Sequence, residues 1–348
     1  MRCLAGGYGS SMSQQQGTRV PGPVGPISHH VATTLRNGGT SVPPAPEWEG
    51  GSIITSHDAQ LGLWMLYELA YRGFEDVPDD REWDPDLIRL RRELEDRFET
   101  ELREKAGPLA ERVADLDEVG DQVLAMAQHA SGVSLSSYLR RDATRAQVID
   151  FLRERSVQQL KESDPQSFLL PRLEGPVKVA LAEIQYDEYG AGDPARLHQS
   201  MFADALGAAG LDPAYGAYVN DVSAVSLASA NVMSLFCLNR RLRGAAVGHF
   251  AAFEASSSVP SRRVSAGIAR VGLPSAASAY FDEHVEADAV HEQVAARDIC
   301  GGLVELEPDL HADVLFGAAA ALHLDALSAA ELMGRWADNA LMERGAAS

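Results

Sequence analysis

The sequence predicts an all-α protein on three grounds. Apolar residues recur at helical spacing, as in HDAQLGLWMLYELAYRGF from His57. The second half is rich in alanine, which favours helix and lets helices approach closely. Alternation of period two, the mark of a half-buried strand, is almost absent.

The elements follow in order. Residues 1–46 are dense in Gly, Ser, Pro and Gln and bury little, which predicts a disordered tail. Residues 47–157 read as auxiliary helices. Among them, DPDLIRLRRELEDRFETELREKAG opens on Asp-Pro, closes on Gly and carries charges three and four apart, the pattern of a long exposed helix. DEVGDQVLAMAQHA, SLSSYLRRD and ATRAQVIDFLRERSVQQLKES continue the series. Residues 158–348 contain apolar, alanine-rich segments and read as the helical core. Neither GxGxxG nor GxxxxGK[ST] occurs, so nucleotide-loop enzymes lose support. No repeat of roughly 20–50 residues is visible.

Charge and cysteine usage narrow the function. A net charge of −20 repels phosphate backbones and anionic lipid, which argues against nucleic-acid and membrane partners. Cys3, Cys237 and Cys300 are far apart and form no CxxC, so a disulfide framework and a thiolate zinc site are disfavoured. No uninterrupted apolar run reaches the roughly 18–20 residues that span a bilayer. A cytoplasmic location is expected. The charged N-terminal helices offer a surface for a homodimer.

Core helices carry carboxylates only where these are paired or bind metal, so polar residues in the second half are informative. In YFDEHVEADAVHEQV, His284, Asp288 and His291 stand four and three apart and share one helix face. Two imidazoles and a carboxylate there make half a site for a first-row transition metal, or an ordinary polar stripe. EIQYDEYGAGDPARLHQSMF holds Glu183, Asp187, Glu188 and His198, with Gly190, Gly192 and Pro194 to break the helix between them. GHFAAFEASS places Glu254 beside two phenylalanines, at a buried position or at a solvated helix end. Carboxylates and histidines on several helices are how bundles build dinuclear iron or manganese sites. The paired Glu-x-x-His motifs of ferritin-like bundles are missing, which points to another helical scaffold.

The order EYGAGDPARLH, HFAAFE, HVEADAVH resembles the haem-oxygenase-like diiron oxidases and oxygenases, from Gln158 to the C-terminal helix. The resemblance implies a haem-oxygenase-like helical bundle with additional N-terminal helices. It implies Glu188, His198, Glu254, His284, Asp288 and His291 as metal ligands, with Glu162 as a further one. It places Glu188, His198 and His284 on one iron and His291 with Glu162 on the other, with Glu254 and Asp288 between. It implies two irons per chain cycling between Fe(II) and Fe(III), O₂ as co-substrate and an external electron donor. The expected reaction is N-oxygenation, desaturation or C–C cleavage of a small amino-acid-like metabolite or other carboxylate. No organic cofactor and no catalytic residue beyond the ligands is implied. The alternative is a non-catalytic metal-binding or scaffold protein of the same fold. Arg240, Arg241 and Arg243 could clamp a substrate carboxylate or simply end a surface helix. Tyr186, Tyr189 and Tyr280 fall near the implied ligands, as pocket lining or as packing.

Overall fold

The computed structural model describes residues 17–37, 48, 50–113, 115–128 and 134–346, leaving out the side chains of 286–289 and 340–346. Among these residues there are helices and no strand.

The N-terminal third corrects the expected tail. Pro26–Asn37 forms helix α1, with Ile27, Val31 and Leu35 buried at helical spacing. It packs on α2, His57–Glu68. Asp58 of α2 accepts from the backbone amides of Ile27 at 2.8 Å and Ser28 at 2.7 Å, satisfying donors that a helix start leaves open. The surrounding Pro and Gly hid an apolar stripe that a neighbouring helix could cover. Residues 1–16 and 38–46 of the expected tail lie outside the described ones.

Helix α3, Pro85–Glu111, starts where Asp-Pro predicts. The Asp84 carboxylate accepts from the Asp86 amide at 2.9 Å, and Pro85 occupies the first turn, where no amide is needed. Its stripe Leu87, Leu90, Leu94, Phe98, Leu102, Ala106 is buried, as are Glu95 and Glu99, and most of the remainder faces water. The short helices α4, Val119–Gln128, and α5, Leu135–Arg141, lead to α6, Arg145–Gln159. The boundary expected between 157 and 158 falls inside α6, so it is not a break in the structure. Residues of α2, α3 and the later helices also share one apolar core.

The core follows: α7 Asp164–Ser167, α8 Gly175–Glu188, α9 His198–Ala209, α10 Ala224–Leu238, α11 Arg243–Ala255, α12 Ser258–Arg270 and α13 Ala279–Gln293. Helix α13 runs into a π-helical stretch, Val294–Gly301, before α14, Gly302–Leu306, and α15, His311–Ala346. The tightest seam joins α11 to α15. A Cβ at Gly248 would collide with the Val314 carbonyl, and one at Gly317 with the Ala245 carbonyl. Glycine therefore sets the distance between these helices. The stretch Pro308–Asn339 is long and apolar enough to cross a membrane by length and composition, although no uninterrupted run is. In this fold 56% of its apolar window is buried against protein, as a core helix is.

Candidate metal centre

The site is built where three chain segments return to α13. The first is the turn after α6, which carries Glu162. Ser163 has φ of 68°, a strained value for a residue other than glycine. Its carbonyl accepts from Gln185 Nε2 at 2.8 Å, and its hydroxyl donates to Glu188 Oε2 at 3.0 Å. Gln199 Nε2 holds the Glu162 carbonyl at 2.6 Å, and Arg72 donates to Gln199 Oε1 at 2.8 Å. The strained turn is thus tied from both sides.

The second segment is the break between α8 and α9. Gly190 and Gly192 have positive φ, 78° and 86°. A Cβ at Gly190 would lie 2.8 Å from the Leu197 nitrogen, so the close approach admits only glycine. The fold-back brings His198 Nδ1 to 3.0 Å from Glu188 Oε2, although the two are ten residues apart. The third segment is α11, which buries Glu254 near its end.

Two groups of potential donors result, each with its ligand atoms within 4.8 Å of one another. One comprises Glu162, Glu188, His198 and His284; the other, Glu188, Glu254 and His291. Six of the seven expected ligands therefore converge. The grouping differs from the expected one. Glu162 stands with His284 rather than His291, and Glu188 is common to both groups. The side chain of Asp288 lies outside the described residues, and its backbone continues α13 between the two histidines.

Hydrogen bonds behind the histidines leave their inner nitrogens aimed at the carboxylates. His284 Nδ1 is 2.7 Å from the Tyr280 carbonyl, which only an N–H can satisfy, and Nε2 faces Glu162 Oε1 at 3.5 Å. His291 Nε2 stands 3.2 Å from Asp187 Oδ2. Its Nδ1 then faces Glu254 Oε2 at 3.6 Å and Glu188 Oε1 at 3.9 Å, beyond hydrogen-bond length. A carboxylate behind a histidine is the usual support of a metal-ligating imidazole. Tyr280 donates to Glu162 Oε2 at 2.7 Å.

Charge gives the same picture. Among the described residues no Lys or Arg forms an ion pair with Glu162, Glu188 or Glu254; their charged contacts are histidines. Burial pushes the Glu188 carboxyl up, but His198 and His284 outweigh it and hold it below the ordinary glutamate value. Burial, joined by the Glu188 charge, raises Glu254. Burial pulls the His291 imidazolium down, yet Glu254, Asp187 and Glu188 hold its pKa up at about 9. Protons thus take the place that cations would fill. Carboxylate oxygens with imidazole nitrogens suit first-row divalent ions. The donor set therefore fits iron.

Residues 149–326 match the family of iron-containing redox enzymes. The chain belongs to that family. Among solved structures, a CADD-like protein of unknown function from Nostoc punctiforme aligns at 16% identity with a TM-score of 0.47, over 68% of this chain and 98% of that one. None of the curated proteins matches. The fold is the all-α, haem-oxygenase-like bundle expected of an iron-containing redox enzyme.

Other expected residues fall elsewhere. Arg241 pairs with Glu99 and Arg243 with Glu307, so these two arginines tie surface helices. Tyr186 is exposed and bonds the Ala191 carbonyl, while Tyr189 bonds Ser167. Tyr280 alone of the three touches the centre. Burial pushes the Cys237 thiol up to about 12 and raises Cys300 as well, which removes both as nucleophiles. Sequence reasoning missed the support from Ser163, set Tyr280 near the ligands without its bond to Glu162, and gave Asp187 no role. The SDP turn after Glu162 was the only local signal for the first.

Proposed function

We propose that this iron-containing redox enzyme is a non-haem diiron oxidase or oxygenase acting on a small metabolite that carries a carboxylate. One observation carries the reading. Two buried carboxylates, the half-buried Glu162 and three buried imidazoles converge around Glu188, and among the described residues no lysine or arginine pairs with these carboxylates. A protein does not gather such charge in its core for stability, because each unpaired buried carboxylate opposes folding. Divalent cations would offset it.

In this reading Glu162, His198 and His284 would hold one metal and Glu254 and His291 the other, with Glu188 available to either as a member of both groups. Asp288 joins from α13 by its register between the histidines. Bound iron would supply redox chemistry with O₂, with electrons drawn from the substrate or an external donor. The chain's own residues do the rest. Asp187 fixes the His291 ring through Nε2, and the Tyr280 carbonyl fixes His284 through Nδ1. Ser163 and Tyr280 orient Glu188 and Glu162 by donating to one oxygen of each. That leaves the other carboxylate oxygen of each free to turn toward a metal.

Anaerobic loading with Fe(II) tests the reading. About two irons per chain are expected, falling to one or fewer in His291→Ala and His284→Ala. A mass-spectrometric screen of small carboxylates should then show an O₂-dependent product. Iron oxidised on exposure to O₂ with no organic product across the screen would indicate storage rather than catalysis.

A further inference from the structure

A cavity of about 120 Å³ lies between α6, α10, α11, α12, α13 and α15, and Tyr280 and His284 form part of its wall. An engineered cavity of about 150 Å³ holds a benzene-sized molecule, so this one suits a small organic compound. Its lining divides by chemistry. Phe151, Phe253, Phe281 and Val264 supply an apolar body, and Ser229 and Ser261 supply hydroxyls. One side chain of the lining is cationic, Arg155, and one is a carboxylate, Asp325.

These two mark the mouth. The Asp325 side chain is 59% exposed and Arg155 22%, whereas Tyr280, His284 and His249 are almost wholly buried. Arg155 Nη2 meets Asp325 Oδ1 at 2.6 Å. That contact uses one of the five N–H donors of a guanidinium, whose planar fork is built for two parallel bonds to a carboxylate. The exposed Asp325 can turn into water and surrender Arg155. His249 does not compete as an anion anchor, because burial lowers its pKa to about 4 and keeps the ring neutral.

We propose that this cavity is the substrate chamber of the centre, and that it takes a small monocarboxylate with an apolar body. The carboxylate binds Arg155 at the mouth, displacing Asp325. The body lies along the phenylalanines and ends against Tyr280 and His284. Asp325 is then a selectivity device. In a protein of net charge −20 it keeps Arg155 occupied until a ligand offers both a carboxylate and enough apolar surface to displace it. The assignment rests on the diiron reading for its chemistry but not for its binding.

Calorimetric titration of the full chain, loaded with redox-silent Zn(II), tests it. The probes are octanoate, 3-phenylpropionate, L-phenylalanine and the uncharged 3-phenylpropanamide. The acids should bind roughly tenfold tighter than the amide, the equivalent of one net charge-assisted pair. Arg155→Gln should remove that difference, Asp325→Asn should tighten the simple acids, and Ser261→Leu should block every probe by filling the chamber. L-phenylalanine leading the series, with Asp325→Asn weakening it alone, would mark an amino acid whose ammonium uses Asp325. Octanoate and 3-phenylpropionate leading would mark a simple acid; either order supports the chamber. Equal binding of acid and amide, or an Arg155→Gln protein that binds the acids as wild type does, overturns it. Metal content and melting temperature are measured on each variant. A wild type that takes up metal normally but shows no acid selectivity sinks the chamber alone; a wild type that selects the acids but takes up no iron sinks the diiron reading alone.

Discussion

Lys161 and Glu162 are neighbours in sequence and belong to opposite kinds of buried polar cluster. Lys161 is 1% exposed and meets the fully buried Glu68 at 2.9 Å. Tyr215 donates to the same carboxylate oxygen at 2.7 Å, and the ammonium lies 4.4 Å from the centre of the Tyr71 ring. One positive charge faces one negative charge, and aromatic faces surround them. One residue on, Glu162 joins Glu188, Glu254 and three histidines, where negative charge gathers without a fixed cation. The closed cluster braces the turn; the open one is what the turn presents. Buried charge that is balanced signals architecture, and buried charge in surplus signals a missing ligand.

The sharpest way to break the contrast is to remove the cation of the closed cluster. Lys161→Met should cost about 3–5 kcal/mol, because Glu68 is left as a buried, unbalanced carboxylate. Thermal and urea denaturation would read it. A loss below about 1 kcal/mol would mean that Glu68 is neutral in the fold and that the two clusters do not differ in kind. Next in size is the effect of supplying the open cluster with what it lacks. Zn(II) at about a hundred times its dissociation constant should stabilise the wild type by about 2.7 kcal/mol, and Glu188→Gln should lose most of that gain. Glu188 is common to both donor groups, so it is the substitution that separates a shared centre from two independent sites.

The open cluster should also answer with the opposite sign when no metal is present. Glu254 is buried, and the neighbouring Glu188 charge opposes its ionisation. Glu254→Gln keeps the shape and removes the charge. The metal-free protein should therefore gain about 1 kcal/mol, while metal uptake falls. A destabilised metal-free variant would show that the cluster holds the fold together rather than waiting for cations.

How far this was readable in the sequence follows from distance along the chain. The α13 face was legible because helix geometry alone puts His284 and His291 together. The break before His198 was legible because Gly190, Gly192 and Pro194 cannot continue a helix. What stayed hidden depends on long-range contact. Nothing local says that Asp187 will stand behind a histidine 104 residues away, or that Asp58 will start α1 inside an apparent tail. The left-handed Ser163 was hidden too, since its strain is sustained by bonds to Gln185 and Glu188 rather than by its neighbours. The π-helical stretch after α13 has no sequence signal we can name.

The smallest effect comes from a balanced cluster at the surface, the limiting case of the comparison. Glu99 of α3 lies against Arg103 and Arg241, both more than a third exposed. Burial pushes its carboxyl up, and the two guanidiniums outweigh it, leaving the pKa below the ordinary value of 4.5. A carboxylate depressed in the folded state contributes stability that is fully present above its unfolded pKa. The contribution fades as pH falls through the lower, folded value. Solvent screening limits it, so Glu99→Gln should cost less than about 1 kcal/mol at neutral pH. Urea denaturation of wild type and variant should give curves that separate above about pH 5 and converge in acid. Salt should shrink the gap at neutral pH but leave the Lys161→Met loss nearly intact, because only the surface pair is reached by counter-ions. A gap at Glu99 that ignores salt would erase the distinction between a pair buried on both sides and one whose guanidiniums are exposed.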